Sequence, residues 1–226
     1  MHNKKINIAI DGPCGAGKST VSKEIAKRLH YTFINSGSVY RAIALNAYRK
    51  GISFDDTVGI VSTLKDINIS IDENEHIYLS GEDVSHEIRE DVISKGASTI
   101  AQYHAVRTYV VDFIQAITKA HKGYIMDGRD TTFKLMPNAE LKIFLNATPE
   151  ERARRRMIQN KEQGFETDFN VVLKEVIARD YQDTHRETDP LHKTEDAIEI
   201  DCTLMTFDEV VDWIIKLAKE RIQNEK

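Results

Sequence analysis

Apolar and polar positions along the chain predict strands that alternate with helices. Apolar runs long enough for buried strands lie at residues 6–10, 32–35, 123–127, 141–147 and 198–201. Apolar residues at helical spacing between these runs predict helices at residues 18–29, 36–50, 89–122, 149–163, 168–184 and 205–223. This alternation is typical of an α/β fold with a doubly wound parallel sheet, in which ligands bind at the carboxyl ends of the strands.

One stretch breaks this alternation. INISID and HIYLSG, within residues 66–88, have a two-residue period and flank a polar turn at residues 73–75. That pattern predicts an antiparallel hairpin. Antiparallel strands inside a series of strands and helices indicate a small inserted subdomain.

A glycine-rich loop joins the first strand to the first helix, within INIAIDGPCGAGKST. The spacing of Gly12, Gly17, Lys18 and Ser19 matches the phosphate-binding loop of nucleotide-binding proteins. Glycines let backbone N–H groups face an anion, Lys18 can reach the β- and γ-phosphates, and the Ser19 hydroxyl suits Mg²⁺. The residues predicted to hold the phosphates of ATP are Gly12, Pro13, Cys14, Gly15, Ala16, Gly17, Lys18, Ser19 and Thr20.

Composition narrows the class of protein. The chain has 226 residues, enough for one α/β domain, and a formal net charge of −5 that argues against a general nucleic-acid surface. It has no apolar run of the ~18 residues that a membrane span requires, and its first residues lack the pattern of a secretory signal. The two cysteines lie far apart in sequence, which suits a reducing compartment. We therefore expect a cytoplasmic monomer with no membrane or nucleic-acid partner.

Motifs elsewhere in the chain limit the classes of nucleotide-binding protein to which it could belong. The nearest match to a guanine-reading motif, at residues 160–163, lacks the required acid, and residues 79–83 depart from the signature of ABC-type ATPases. A small kinase remains, with Arg152, Arg155 and Arg156 as candidate cations for the transferred phosphoryl group. A charge run on a helix is more often a solvated face. Abundant arginine without an isolated catalytic base favours a phosphate acceptor, and Arg41 is a further candidate anion contact.

Nearly the whole chain resembles the bacterial cytidylate kinase family. The resemblance rests on IAIDGPCGAGKST, SGSVYRAIAL, GEDVSHEIR, ASTIAQYHAVR, YIMDGRD, LKIFLNATPEERARRRM and IARDYQDTHRETDPL. It implies a P-loop NTPase fold, with a five-stranded parallel sheet flanked by helices. It also implies one kinase domain over residues 1–226, made of a core (1–60, 89–148 and 185–226), a nucleoside-monophosphate-binding insertion (about 61–88) and a helical lid (about 149–184).

The resemblance also implies the reaction and its residues. The expected activity is Mg²⁺- and ATP-dependent phosphorylation of CMP and dCMP. The expected catalytic residues are Lys18, Arg129, Arg155 and Arg156, with Ser19 as the metal contact. The expected contacts of CMP are Ser36, Tyr40, Arg41, Ser98, Arg107, Arg129, Asp130, Arg179, Asp183 and Arg186. Asp130 and Arg107 suit cytosine, whose 4-amino group needs an acceptor and whose O2 and N3 need donors.

Two positions and one segment depart from the family pattern. Asn35 stands where an aspartate is usual, residues 131–136 differ from the usual Met-Gly-Thr-Val-Val-Phe, and Cys14 replaces a smaller residue. Without an acid at Asn35, Asp11 and Asp127 are the nearby carboxylates that could order the Mg²⁺ shell. The departures leave two alternatives open: a kinase with a wider range of small-molecule acceptors, and a nucleotide-binding regulator that has lost catalysis.

Overall fold

The computed structural model describes residues 4–72, 74–162 and 164–224. The strands are β1 (Ile8–Asp11), β2 (Thr32–Ile34), β3 (Ile69–Ile71), β4 (Ile77–Leu79), β5 (Glu82–Asp83), β6 (Tyr124–Gly128), β7 (Leu141–Asn146) and β8 (Ile198–Asp201). The helices are α1 (Lys18–Leu29), α2 (Ser36–Arg49), α3 (Thr57–Thr63), α4 (Asp91–Ile100), α5 (His104–Ala120), α6 (Pro149–Glu162), α7 (Phe169–His185) and α8 (Phe207–Asn224). The chain also forms a 3₁₀ turn at Glu87–Arg89 and a π-helical turn at Thr131–Leu135.

The central sheet has five strands in the order β2-β6-β1-β7-β8, which confirms the predicted fold class. Strand β1 pairs in parallel with β6 and with β7, and β7 pairs in parallel with β8. Every residue of β1 is buried, as expected for a strand covered on both faces of a parallel sheet. The register sets Asp11 opposite Gly128, so the segments that follow β1 and β6 begin side by side.

Two compact units make up the described chain, and the first contains residues 4–31 and 122–224. Within it, α6 and α7 pack through a small apolar cluster of their own, formed by Ala153, Val172 and Val176 with Met157, Phe169 and Leu173 beside them. The Asp168 carboxylate caps α7 by accepting hydrogen bonds from the backbone N–H groups of Asn170 and Val171. These two helices correspond to the predicted lid, whose status as a separate mobile part stays a prediction.

The second unit contains residues 32–121. It includes the predicted hairpin, as strands β3 and β4, although Glu73 of the predicted turn lies outside the described residues. A third strand, β5, extends this antiparallel sheet. Two charged residues carry no strand pattern, so the sequence did not predict β5. Arg49 pairs with Glu82 of β5 at 2.7 Å and with Glu87, which ties the small sheet to α2.

The predicted helix at residues 89–122 is in fact two helices, α4 and α5. The break follows Ile100, and the Tyr103 hydroxyl donates a hydrogen bond to the Phe54 carbonyl at 2.8 Å. Apolar spacing continues across residues 101–103, so periodicity alone could not detect the break. No helix among the described residues is long and apolar enough to cross a bilayer.

Candidate active site

The glycine-rich loop follows β1 and ends at the first turn of α1. Gly12, Gly15 and Gly17 have φ angles of 152°, 80° and 91°, in the region that side chains rarely adopt. A Cβ on Gly12 would lie 2.0 Å from the Leu145 carbonyl oxygen, so only glycine allows the loop to approach β7. The loop therefore has the strand–turn–helix setting that a phosphate-binding loop requires.

The Lys18 side chain is only 5 % exposed, and its ammonium group donates to the Pro13 carbonyl oxygen at 2.8 Å. Burial, and then the positive charge of Arg129, lower the pKa of Lys18 to about 8. Both effects disfavour the charged ammonium in the protein alone. A polyphosphate in the loop would add negative charge beside this cation and favour its charged form.

Ser19 and Asp127 form an oxygen-rich pair at the mouth of the loop. The Ser19 hydroxyl donates to Asp127 Oδ2 at 2.8 Å, and burial raises the pKa of the Asp127 carboxyl. Mg²⁺ prefers oxygen ligands and is usually held by one or two carboxylates together with substrate phosphates. The described residues contain no cluster of three or more His, Cys, Asp or Glu side chains that could hold a metal ion, so a protein-only metal cage is not formed there. The Ser19–Asp127 pair fits Mg²⁺ bound with a nucleotide.

Asp11 is engaged elsewhere. Its carboxylate is fully buried and accepts hydrogen bonds from the backbone N–H of Thr131 at 2.9 Å and of Thr132 at 2.7 Å. The Thr132 hydroxyl adds a third bond at 2.6 Å. Both carboxylate oxygens thus hold the segment after β6, which leaves Asp127 as the carboxylate beside Ser19.

The arginines of α6 have different environments. Arg152 is 2 % exposed; its guanidinium donates to the Ala147 and Cys14 carbonyls at 2.8 and 3.0 Å and pairs with Asp180 at 2.6 Å. Its donors are therefore used inside the protein, contrary to the expectation that Arg152 is a free cation for phosphate. The charge run had also favoured a solvated helix face, whereas Arg152 of that run lies in the core.

Arg155 and Arg156 lie on the loop side of α6. Arg155 donates to the Cys202 carbonyl at 2.7 Å and pairs with Glu151 at 3.1 Å. Arg156 is exposed, with Nη1 3.9 Å from the Cys14 sulfur. Both arginines line a pocket of about 580 Å³ that opens beside the loop.

The same pocket has apolar walls that no sequence pattern indicated. Met205 and Phe207, after β8, and Val21, in α1, line it together with Ile158 of α6. Concave, apolar-walled clefts with a few polar groups are typical of small-molecule sites. Met205 and Phe207 could have been found from their position just beyond the carboxyl end of the last strand, whereas Val21 and Ile158 carry no such signal.

Five of the predicted acceptor contacts lie in the first unit and form three ion pairs, two of which share Asp183. Asp183 is 4 % exposed and pairs with Arg129 at 2.6 Å and with Arg179 at 3.3 Å. Asp130 pairs with Arg186 at 3.4 Å, and Arg186 also donates to the Asp189 carbonyl. The structure thus brings these residues together. Asp180, which lies on α7 like Asp183 and was not predicted as a site residue, pairs with Arg152.

The other predicted acceptor contacts lie in the second unit, on three helices: Ser36, Tyr40 and Arg41 on α2, Ser98 on α4 and Arg107 on α5. Helices α2 and α4 pack against each other. Ser98 is exposed and donates to the Ser94 carbonyl at 3.1 Å, whereas Tyr40, Arg41 and Arg107 are half-buried.

Asn35, the departure from the family's aspartate, caps α2. Its Oδ1 accepts a hydrogen bond from the Gly37 N–H at 2.9 Å. Arg41 Nη1 lies 3.5 Å from the position that a Cβ on Gly37 would occupy. The asparagine therefore keeps the helix cap and loses only the charge.

Comparison with known proteins places these features in a family. The family model described as Cytidylate kinase matches residues 8–220. The chain is 64 % identical over 220 residues to the cytidylate kinase of Mycoplasmopsis agalactiae, covering 97 % of this chain and 100 % of that one. It is 51 % identical over 215 residues to that of Mycoplasmopsis synoviae, covering 95 % and 99 %.

A solved structure shares the fold. An uncharacterized protein from Eubacterium ventriosum aligns with a TM-score of 0.56 at 15 % identity, covering 96 % of this chain and 99 % of that one. This likeness concerns the fold alone, whereas the full-length identity to two named relatives concerns the family. The chain belongs to the cytidylate kinase family.

Proposed function

We propose that the protein transfers the γ-phosphoryl group of ATP to CMP, and to dCMP, giving ADP with CDP or dCDP. The proposal rests above all on one observation. The buried Lys18 at the glycine loop lies near enough to Arg129 for the charge of Arg129 to lower the Lys18 pKa, and Asp183 holds Arg129 at 2.6 Å. Two cations of this kind, one on a donor loop and one on a predicted acceptor contact, suit in-line transfer between two phosphates.

On the donor side, the loop N–H groups and the N-terminus of α1 would bind the phosphates of ATP, with Lys18 on the β- and γ-phosphates. Ser19 and Asp127 would hold Mg²⁺, which neutralises phosphate charge when it is bound. The apolar-walled pocket beside the loop would take the adenine ring. Arg155 and Arg156, which line this pocket, would stabilise the charge of the transferred group.

On the acceptor side, the phosphate of CMP is already ionised and needs no general base. Arg41 and Arg129 would hold that phosphate, with Arg179 and Arg186 engaging the phosphate and sugar. Asp183 would contact the ribose while it keeps Arg129 in place, a role that its burial supports.

Base recognition would use a separate set of residues. Asp130 would accept from the 4-amino group of cytosine, and Arg107 and Ser98 are the proposed partners for the rest of the base. Tyr40 and Ser36 would lie along the nucleotide. These assignments follow from the family motifs and from the hydrogen-bonding groups of cytosine.

We further propose that the enzyme works as a cytoplasmic monomer on small-molecule nucleotides, without a nucleic-acid partner. The net charge of −5 supports the last point, since nucleic-acid surfaces are usually basic. Both cysteines are free thiols, which suits a reducing compartment.

A coupled ADP-release assay tests the activity. The purified protein is given Mg²⁺ and ATP with CMP, dCMP, UMP, AMP or shikimate in turn. We expect turnover with CMP and dCMP that exceeds turnover with the other acceptors. Folded protein that binds ATP but turns over no pyrimidine monophosphate would instead support the regulator, and turnover across all acceptors would support a kinase of wider range.

The variant Asp130→Ala tests how the base is read. If Asp130 accepts from the buried 4-amino group, the variant weakens CMP binding by about 1–3 kcal/mol, because a donor is left unpaired. Binding of ATP, measured by calorimetry on the same preparation, should stay the same. An equal loss for both nucleotides would show that Asp130 has another role.

A further inference from the structure

The carboxylate of Asp11 has no role in the proposed reaction. It ends β1 directly before the glycine loop, yet it makes its side-chain bonds to Thr131 and Thr132, after β6. All three donors come from this one segment. The carboxylate is fully buried, so no bulk water shares its oxygens.

These bonds need an acceptor at both side-chain oxygens. An amide in its place has a single acceptor oxygen, and its NH₂ group would face a backbone N–H. Three donors converging on two oxygens also fix the direction from which the segment approaches. Asp11 therefore sets the position of residues 131 and 132 more tightly than packing alone would.

The segment that Asp11 holds begins directly after Arg129 and Asp130. Thr131 Oγ1 packs on Gly128, where an added Cβ would lie 2.3 Å from that oxygen and 3.6 Å from Asp11 Oδ1. Residues 128–132 thus pack closely against the end of β1. A shift of Thr131 or Thr132 would displace the two neighbouring side chains proposed to contact CMP.

The glycine loop does not depend on Asp11 in the same way. Lys18 donates to the Pro13 carbonyl, Arg152 donates to the Cys14 carbonyl, and Gly12 packs on the Leu145 carbonyl. None of these contacts involves the Asp11 carboxylate.

We propose that Asp11 is a positioning residue for the acceptor nucleotide, which acts by fixing Arg129 and Asp130 through Thr131 and Thr132. The inference rests on the proposed function, since it assigns these two residues to CMP. It predicts an asymmetry between the substrates, with CMP affected and ATP spared.

The test is the isosteric variant Asp11→Asn, assayed with CMP and with ATP varied separately. We expect KM for CMP to rise about tenfold, because a buried hydrogen-bonded network loses an acceptor. KM for ATP and the Mg²⁺ concentration for half-maximal rate should stay within about twofold, since the loop contacts remain. A variant that raises both KM values equally, or that shifts the Mg²⁺ requirement, overturns the inference.

Two variants of Thr132 keep the test decisive if Asp11→Asn fails to fold. Thr132→Val removes the hydroxyl donor and keeps the shape and the backbone N–H, so KM for CMP should rise about threefold. Thr132→Ser keeps the donor and should restore the wild-type value. Thr132→Val with an unchanged KM for CMP counts against the inference.

Failure of the proposed function would be seen separately. Turnover of CMP by the wild type tests the proposed function alone, whereas the ratio of variant to wild type tests Asp11. Amide hydrogen exchange at Thr131 and Thr132 adds a readout that needs no activity. Both amides should be protected in the wild type and exchange faster in Asp11→Asn, and equal exchange in the two proteins would overturn the inference.

Discussion

The glycine loop and the segment after β6 begin side by side in one sheet, yet they are held in different ways. Asp11 and Gly128 are register partners, so residues 12–20 and 128–135 start from the same level. The loop takes its shape largely from its own glycines and from a bond between Lys18 and Pro13, five residues apart. The segment after β6 is fixed by Asp11 and Asp183, which lie 121 and 54 residues away in the chain.

The difference shows that a local motif is enough to build the glycine loop, whereas the segment after β6 needs contacts that only the folded chain provides. A phosphate is recognised by backbone N–H groups, so local conformation is sufficient to build the donor site. A nucleoside monophosphate is recognised by side chains, which must be oriented by partners that the fold brings near. The donor loop should therefore tolerate changes elsewhere in the chain better than the acceptor segment does.

The largest expected effect comes from removing the cation of the loop. Lys18→Ala should lower kcat on the order of 10²–10³-fold, because a preorganised donor to the transferred phosphoryl group is lost. The protein should stay folded, since a buried ammonium whose pKa is lowered to about 8 is not a stabilising charge. Steady-state kinetics and circular dichroism on the same sample measure both quantities.

Lys27→Ala is the matched control for this variant. Lys27 is an exposed residue in the last turn of the same helix, so its removal changes the charge of α1 equally. We expect wild-type kcat from this control. Normal turnover by Lys18→Ala would contradict the assignment of the loop as the donor site.

Arg152 is the exception that sharpens the comparison, because it holds the loop from outside. It joins the Cys14 carbonyl to Asp180 of α7. Arg152→Ala should lower the free energy of unfolding by about 3 kcal/mol, since it removes a buried guanidinium and leaves the partly buried Asp180 without its cation. Urea denaturation measures the change, and KM for ATP should rise with it as Cys14 loses its anchor.

Arg154→Ala is the control from the same charge run. Its side chain is 62 % exposed and pairs with Glu151 at 3.4 Å, so its removal should change stability by less than about 0.5 kcal/mol. Equal losses from the two variants would mean that the buried pair contributes no more than a surface one. The loop would then be fully self-contained, which would strengthen the contrast with the acceptor segment.

The sequence predicted most of the fold because the strands and helices carry strong local patterns. The five sheet strands and the hairpin were found from apolar runs and alternation. The break between α4 and α5 was not, since the apolar stripe continues through residues 101–103. The π-helical turn at Thr131–Leu135 has no local signal either, because its first N–H groups bond to Asp11.

The candidate site divides in the same manner. The glycine loop can be predicted from its residue spacing alone. The family motifs predict the acceptor residues but not the residues that form ion pairs or hydrogen bonds with them. The run of arginines on α6 looks uniform in the sequence, yet Arg152 lies in the core while Arg156 is exposed. Periodicity could not separate them, since the difference depends on Asp180 of another helix.

Apart from the controls, the smallest expected effect concerns how tightly the acceptor segment is packed. A Cβ on Gly128 would lie 2.3 Å from Thr131 Oγ1, a buried hydroxyl with no hydrogen-bond partner in the part of the chain that the structure describes. Gly128→Ala should therefore cost about 1–3 kcal/mol through overpacking. Thr131→Ala removes the obstructing oxygen without breaking a side-chain hydrogen bond.

A double-mutant cycle isolates that contact. Gly128→Ala should cost about 1 kcal/mol less in the Thr131→Ala background than in the wild type, because the clash has been removed. Thr131→Ser keeps the oxygen and should leave the full cost. Urea denaturation of the four proteins gives the coupling energy. Additive effects would mean that the segment moves aside without strain, and the contrast with the glycine loop would then rest on the bonds of Asp11 and Asp183 alone.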